Sequence, residues 1–421
     1  MKMKKAKIGE KYRFTTKPGD LKFANFHQLA FIPMGLIPID RLFCSDYVLK
    51  SPDAVTSGTY FEEGDLLVSK ITPCFENGKQ GIARNIPNGF GIATTEVIPI
   101  KPIPNESDLA YLAYCLLDRE TRHELAEKME GATGRQRLSK NVLQDWEIPF
   151  PSFSEQQAIA AVLLKIQSAV EIQDKTISTL KELKAATMTK LFQEGLGSKR
   201  IKATPIGNVP EDWSIAPLGE FLTLAQYGLS IRGERHGQYP ILRMNCQEDG
   251  LVVFRDLQYI DLDPKTAKNY LLDQGDLLFN RTNSFELVGR IAIYQSSEKA
   301  VFASYLVRLS LKKGLNSGFL NYYLNQKSVQ AAIKTLATRA VGQSNISASK
   351  LKTFNIPVPP DIREQEKIQN IIDALSQSVI KAREKKALQQ ALFSLVLHDL
   401  MTGKLRVNEA LEYFNKEGSH V

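Results

Sequence analysis

The run Glu147-Ile148-Pro149-Phe150-Pro151-Ser152-Phe153-Ser154-Glu155-Gln156 returns later as Asn355-Ile356-Pro357-Val358-Pro359-Pro360-Asp361-Ile362-Arg363-Glu364-Gln365. The apolar register behind it returns as well. Ile159 matches Ile368, Leu163 matches Ile372, Ile166 matches Leu375 and Val170 matches Val379, each at an offset of 209 residues. Self-similarity at so long a period means two domain-plus-helix modules, not a solenoid of short repeats. Two similar modules present two similar surfaces, which suits a partner with two similar sites.

Each repeat announces a helix. Ser152-x-x-Glu155 and Asp361-x-x-Glu364 have capping-box spacing, in which the first side chain takes an orphan amide and the carboxylate reaches back. Leu163, Ile166, Val170, Ile177 and Leu180 then fall at near-heptad steps. No Gly or Pro interrupts the first helix until Gly195 and Gly197, and Thr402-Gly403 ends the second. About 40 residues at 1.5 Å each make roughly 60 Å. A narrow apolar seam is unstable alone, so the two helices are expected to bury each other as an antiparallel coiled coil with the domains at its two ends. Packing of each helix on its own domain is the competing arrangement.

The organisation expected is α+β: a globular domain over 1–151, a spacer helix over 152–197, a second domain over 198–360, and a second helix with tail over 361–421. The domains echo each other. Gly64-Asp65-Leu66-Leu67-Val68-Ser69-Lys70 parallels Gly275-Asp276-Leu277-Leu278-Phe279-Asn280-Arg281, and Gly134-Arg135-Gln136-Arg137-Leu138-Ser139 parallels Gly342-Gln343-Ser344-Asn345-Ile346-Ser347.

Totals exclude more than they assign. The net charge is +8, and residues 1–151 carry 20 Lys and Arg against 19 Asp and Glu, so nucleic acid is permitted but not required. No apolar run approaches the ~20 residues of a membrane span. The N-terminus has no signal pattern, and Cys44, Cys74, Cys115 and Cys246 form no C-x-x-C pair, which points to reduced thiols and a cytoplasmic setting.

Catalytic signatures fail in turn. No Gly-rich phosphate loop is present, and His27, His123, His236, His398 and His420 show no metal-ligand spacing. The proline pairs of 355–360 lack an Asn/Asp-Pro-Pro-aromatic tetrad. Asp361 with Glu384-Lys385-Lys386 fits a loose nuclease pattern, but 23 helical residues separate the carboxylates by about 35 Å, too far to share a metal. The chain is expected to perform no chemistry itself.

Binding candidates remain. Arg135, Gln136, Arg137 and Lys140 in the first domain, and Gln343, Ser344 and Asn345 in the second, are types that reach bases or phosphates. Read singly, each run is a solvated turn; their recurrence favours a shared role. Lys70 and Arg281 end buried-strand patterns, with Lys79, Arg84, Asn283 and Arg290 nearby in sequence. Arg232 and Arg235 make a basic loop between glycines, or an ordinary exposed turn.

With these residues in view, the chain resembles the specificity subunit of type I restriction-modification systems. The resemblance rests on two globular domains each followed by Ile-Pro-x-Pro, Glu-Gln and a long helix, on Pro210-Glu211-Asp212-Trp213, and on Thr402-Gly403-Lys404-Leu405. It covers nearly the whole chain. It implies two target-recognition domains, each reading half of a split double-stranded DNA site, with the helices as spacer. It also implies two modification subunits that methylate adenine with S-adenosylmethionine, and restriction subunits that use ATP and Mg. It implies no cofactor or metal on this chain. One departure is the absence of a first-domain counterpart to Trp213; the first domain is expected to start with Tyr12-Arg13-Phe14 instead. A standalone nuclease or methyltransferase, and a two-domain adaptor for proteins other than DNA partners, are the alternative readings.

Overall fold

The computed structural model describes residues 4–409 apart from 133, 198, 199 and 341, so the expected tail beyond 409 lies outside the described residues. It divides into two compact units, residues 1–176 with 382–421 and residues 177–381. Sequence punctuation put boundaries at the helix starts. The compact units instead take one half of each long helix, because each domain buries apolar surface against the helix turns nearest to it.

In the first unit a five-stranded sheet runs in the order Tyr12–Phe14, Val97–Pro102, Leu66–Ser69, Gln80–Ala83, Phe43–Cys44. A second sheet runs Val48–Lys50, Leu29–Ile32, Phe90–Ala93, Thr59–Glu62. The second unit repeats this plan. Its larger sheet runs Leu222–Tyr227, Leu306–Leu311, Leu277–Asn280, Ile291–Ile293, Leu251–Val252, Gln247–Glu248, and its smaller one Gln258–Ile260, Tyr239–Leu242, Val301–Phe302. Even the parallel pairs recur, Leu29–Ile32 on Phe90–Ala93 and Tyr239–Leu242 on Val301–Phe302. The duplication therefore extends through both sheets. Leu66–Ser69 and Leu277–Asn280 are buried throughout, as continuous apolar runs in a sheet centre require.

The chain enters and leaves each domain side by side. Lys5–Lys7 pairs antiparallel with Glu147–Pro149, and Ser214–Pro217 with Asn355–Val358. Gly9 and Gly219 follow those entry strands, where an added Cβ would stand 3.1 Å from Gln144 and from Lys352 respectively. This register corrects the expected first-domain opening. Tyr12 begins the strand equivalent to Leu222–Tyr227, and the position matching Trp213 precedes residue 4, outside the described residues. Trp213 is fully buried, 5.8 Å from the Phe319 ring in an edge-on contact.

The long helices are α1 (Phe153–Glu194) and α2 (Ile362–Thr402). Gly195 at φ +67° and Gly403 at φ +72° stop them, since a left-handed C′ residue suits glycine. In the first unit, Ile159, Val162, Leu163 and Ile166 of early α1 share a core with Val396, Leu397, Leu400 and Met401 of late α2. Asp174 and Lys386 add an ion pair at 2.5 Å. In the second unit, Met188 and Phe192 of late α1 share a core with Ile368 and Ile372 of early α2. Start meets end in both units, so the helices pair antiparallel. Val170, Ile177 and Val379 are buried, whereas Leu180 and Leu375 are half-buried. The seam also packs on the domains: the same first-unit core contains Tyr111, Leu112 and Leu116.

The capping boxes form only by half. The Ser152 hydroxyl accepts from the Glu155 amide at 3.3 Å, and the Asp361 carboxylate from Arg363 at 2.9 Å. The two glutamates do not turn back; Glu155 lies 3.8 Å from Arg406, and Glu364 accepts from the Leu196 amide at 3.2 Å. The glutamine that follows each glutamate is fully buried and bonded in the same way in both units. Gln156 accepts from the Asp108 amide (3.0 Å) and donates to the carbonyls of Pro151 (3.0 Å) and Glu106 (3.3 Å). Gln365 accepts from Asn316 (2.8 Å) and donates to Pro359 and Gly314 (3.1 Å each).

The turn before each central strand holds a buried aspartate, Asp65 or Asp276. Burial pushes the Asp65 carboxyl up to about 6, against the hydrogen bond it accepts from the Glu62 amide. Burial also raises Asp276, opposed by the Ser310 hydroxyl and Arg308. A carboxyl raised in the folded state disfavours folding while ionised, so this cost is present at neutral pH and fades as pH falls through about 6. Urea unfolding of wild type and Asp65→Asn at pH 7.5 and 5 should show their stability difference moving by about 1 kcal/mol in favour of wild type at the lower pH. A difference independent of pH would contradict this assignment.

Candidate nucleic-acid interface

In the first unit, strand Leu66–Ser69 delivers Lys70 to its end. The Lys70 amide donates to the Glu96 carbonyl at 2.9 Å, and the Lys70 carbonyl accepts from Leu138 at 2.7 Å. Arg137 is thereby bridged between Ile71 and Glu130. Its guanidinium meets Glu96 side-on, Nε to one carboxylate oxygen at 3.0 Å and an Nη to the other at 2.9 Å. The Arg137 hydrogen bonds, helped by nearby Lys70, hold the Glu96 carboxyl below the usual carboxylate range. Lys70, Arg137 and Lys140 line one cavity of about 500 Å³ with Phe14, Thr59 and Glu130. The Lys140 ammonium stands 5.2 Å from the Phe14 ring.

The second unit repeats the ladder. Arg281 donates to the Tyr305 carbonyl at 3.0 Å and accepts from Ile346 at 2.8 Å. Thr282–Asn283, Gln343–Asn345 and Thr338–Ala340 form a small sheet in which Asn345 pairs with both Thr282 and Thr338. The Asn345 amide donates to the Thr282 hydroxyl at 2.6 Å. By these bonds Lys70 corresponds to Arg281, Glu96 to Tyr305, and Arg137 to Asn345. The segments read as polar turns are thus short pairing segments, aligned as their sequence parallel implied.

The other sequence candidates are placed as follows. Arg135 is exposed and Gln136 half-buried beside Arg137, with the Gln136 carbonyl accepting from Thr72 at 3.0 Å. Arg84 is exposed and lies 3.9 Å over the Phe43 ring. Lys79 turns inward, its ammonium donating to the Met34 carbonyl at 2.6 Å. Arg281 lies 4.7 Å over the Tyr227 ring, and the Asn283 side chain accepts from the Ser284 amide at 2.8 Å. Gln343 and Arg290 are exposed, while Ser344 is buried within its sheet. Arg232 and Arg235 are exposed in the loop after Leu222–Tyr227.

Residues missed from sequence include Glu96, Tyr305 and Arg339, whose guanidinium lies 3.8 Å over Phe285. Tyr305 is 46% exposed. One signal pointed to Arg339: residues 299–360 contain nine Lys and Arg and no Asp or Glu. Nothing local marks Glu96, which is 41 residues from Arg137.

The model of the type I restriction modification DNA specificity domain matches residues 49–182 and 210–390. The chain is 34% identical over 143 residues to the type I restriction enzyme EcoEI specificity subunit of Escherichia coli, over 33% of this chain and 24% of that protein. It is 24% identical over 330 residues to the MjaVIII specificity subunit of Methanocaldococcus jannaschii, over 75% of each. Three curated relatives at 30–34% identity are spanned over only 24–49% of their length. Among solved structures, the type I restriction-modification S subunit of M. genitalium superposes with TM-score 0.56 at 16% identity, over 94% of this chain and 96% of that one.

Proposed function

This chain belongs to the type I restriction modification DNA specificity domain family, and we propose that it acts as the DNA specificity subunit of such a system. Each unit reads one half of a split duplex site, and the α1–α2 pair sets the separation of the halves. The chain performs no chemistry. Two modification subunits bring S-adenosylmethionine and methylate adenine; restriction subunits bring ATP and Mg. The single observation that carries this reading is the recurrence of one ladder, with Lys70 and Arg137 in one unit and Arg281 and Asn345 in the other, at equivalent places.

The test is DNA binding by the chain together with its modification subunits, titrated with salt. Counterion release makes log K fall against log salt with a slope of about −0.9 per neutralised phosphate. A steep slope supports the reading, and a flat one returns the adaptor alternative. Replacing Arg232 and Arg235 by Ala should flatten the slope by about two without altering the preferred sequence. A changed sequence preference would make them base readers instead.

The spacer follows from the helices. A heptad inserted into both α1 and α2 adds about 10 Å, so the preferred spacer should lengthen by about three base pairs. Methylation mapping in cells carrying the complete system reads this directly, and an unchanged spacer would remove the ruler.

A further inference from the structure

The reading surface is not equivalent in the two units, and the difference lies at one ladder position. Glu96 grips the Nε and one Nη of Arg137, which is one edge of the guanidinium. A guanidinium has five N–H donors in a planar fork. With the Nε edge taken by the carboxylate, the end formed by the two Nη groups keeps a parallel pair of donors. That pair fits the two major-groove acceptors of guanine, O6 and N7, and no other base edge offers two acceptors there. The Arg137 side chain is 52% exposed, so its end is accessible, while Glu96 at 22% is anchored by the backbone beside it. An arginine held along one edge loses little rotamer freedom when it engages a base, which sharpens discrimination.

We propose that Arg137, oriented by Glu96, reads a guanine in the half-site of the first unit, with Glu96 as a positioning residue. The inference rests on the specificity-subunit reading. It predicts asymmetry between the half-sites. In the second unit Asn345 stands in place of Arg137 and Tyr305 in place of Glu96, so this readout of guanine is absent there. Lys70 and Lys140 flank Arg137 in the same cavity and supply charge for phosphates, which position the duplex without identifying bases.

The test uses the full chain with its modification subunits and a DNA library randomised across both half-sites. Wild type should prefer guanine at one first-unit position by roughly 5- to 150-fold, the usual worth of a bidentate pair. Arg137→Gln removes the pair of parallel donors, leaving one donor and one acceptor that do not match O6 and N7 of guanine. It should abolish that preference while leaving the other positions unchanged. Glu96→Ala should weaken the same preference severalfold, and Glu96→Asp should restore part of it. Asn345→Ala should leave it intact. Retained guanine preference in Arg137→Gln would overturn the proposal, as would an unaltered preference in Glu96→Ala. Failure of the parent reading looks different: neither half of the library would be selected by wild type at all.

Discussion

Gln156→Leu is expected to lower the stability of the first unit by about 4 kcal/mol, and Gln365→Leu to do the same in the second. Leucine approximates the volume, so the loss comes from polar groups rather than from a cavity. Three partners are stranded in each case: one amide and two carbonyls, around a side chain with no exposed surface. A buried group left without its partner costs roughly 1–3 kcal/mol, so three span about 3–9, and partial access of water to the carbonyls places the sum toward the low end of that range. The amide belongs to Asp108, which also caps helix Leu109–Leu117 by accepting from Tyr111 at 2.8 Å. Gln156 thus ties the cap of a domain helix to the first turns of α1, and Gln365 ties Asn316, the cap of helix Ser317–Leu324, to α2. Urea denaturation followed separately by fluorescence of Trp146 and Trp213 would assign each loss to its unit. A loss below 1 kcal/mol would mean that water or a rearranged backbone takes over the glutamine's bonds.

These clamps show how the sequence was legible and where it stopped. The Glu-Gln pair was visible as a repeat because both copies meet the same structural demand. Its role was not visible, since the partners Asp108 and Asn316 lie about 50 residues away. The early seam residues Ile159, Leu163, Ile368 and Ile372 could be read from their spacing. Their partners Val396, Leu397, Leu400, Met188 and Phe192 could not, because antiparallel pairing joins positions that no local periodicity relates. Continuous apolar runs disclosed the central strands at Leu66 and Leu277. The ladder at Arg137 and Asn345 stayed hidden because Arg, Gln, Ser and Asn have no strand signature of their own; Ile71 and Thr282 impose the pairing. The entry strand Lys5–Lys7 was missed for a related reason. Three residues, two of them lysines, carry no alternating pattern, and pairing with Glu147–Pro149 alone defines them.

Exchanging residues 1–151 for the matching cassette of another family member should replace one half-site completely and leave the other half and the spacer as they were. The entry and exit strands explain why such a cassette can be lifted out. Lys5 lies opposite Pro149 and Lys7 opposite Glu147, so the two ends of the cassette are neighbours and its sheets close within it. What the host must supply is also defined. Ile159, Leu163 and Ile166 receive the incoming counterparts of Tyr111, Leu112 and Leu116, and Gln156 receives the amide of the incoming cap residue. A donor with an apolar 109–117 helix and a capping Asp or Asn before it satisfies both requirements. The recipient's ladder at Arg281 and Asn345 is bonded entirely within residues 177–381, so the exchange leaves it untouched. Methylation mapping in cells carrying the hybrid with the recipient's modification and restriction subunits reads both halves at once. If both half-sites changed together, the units would not be independent readers, and a shared surface would have to take their place.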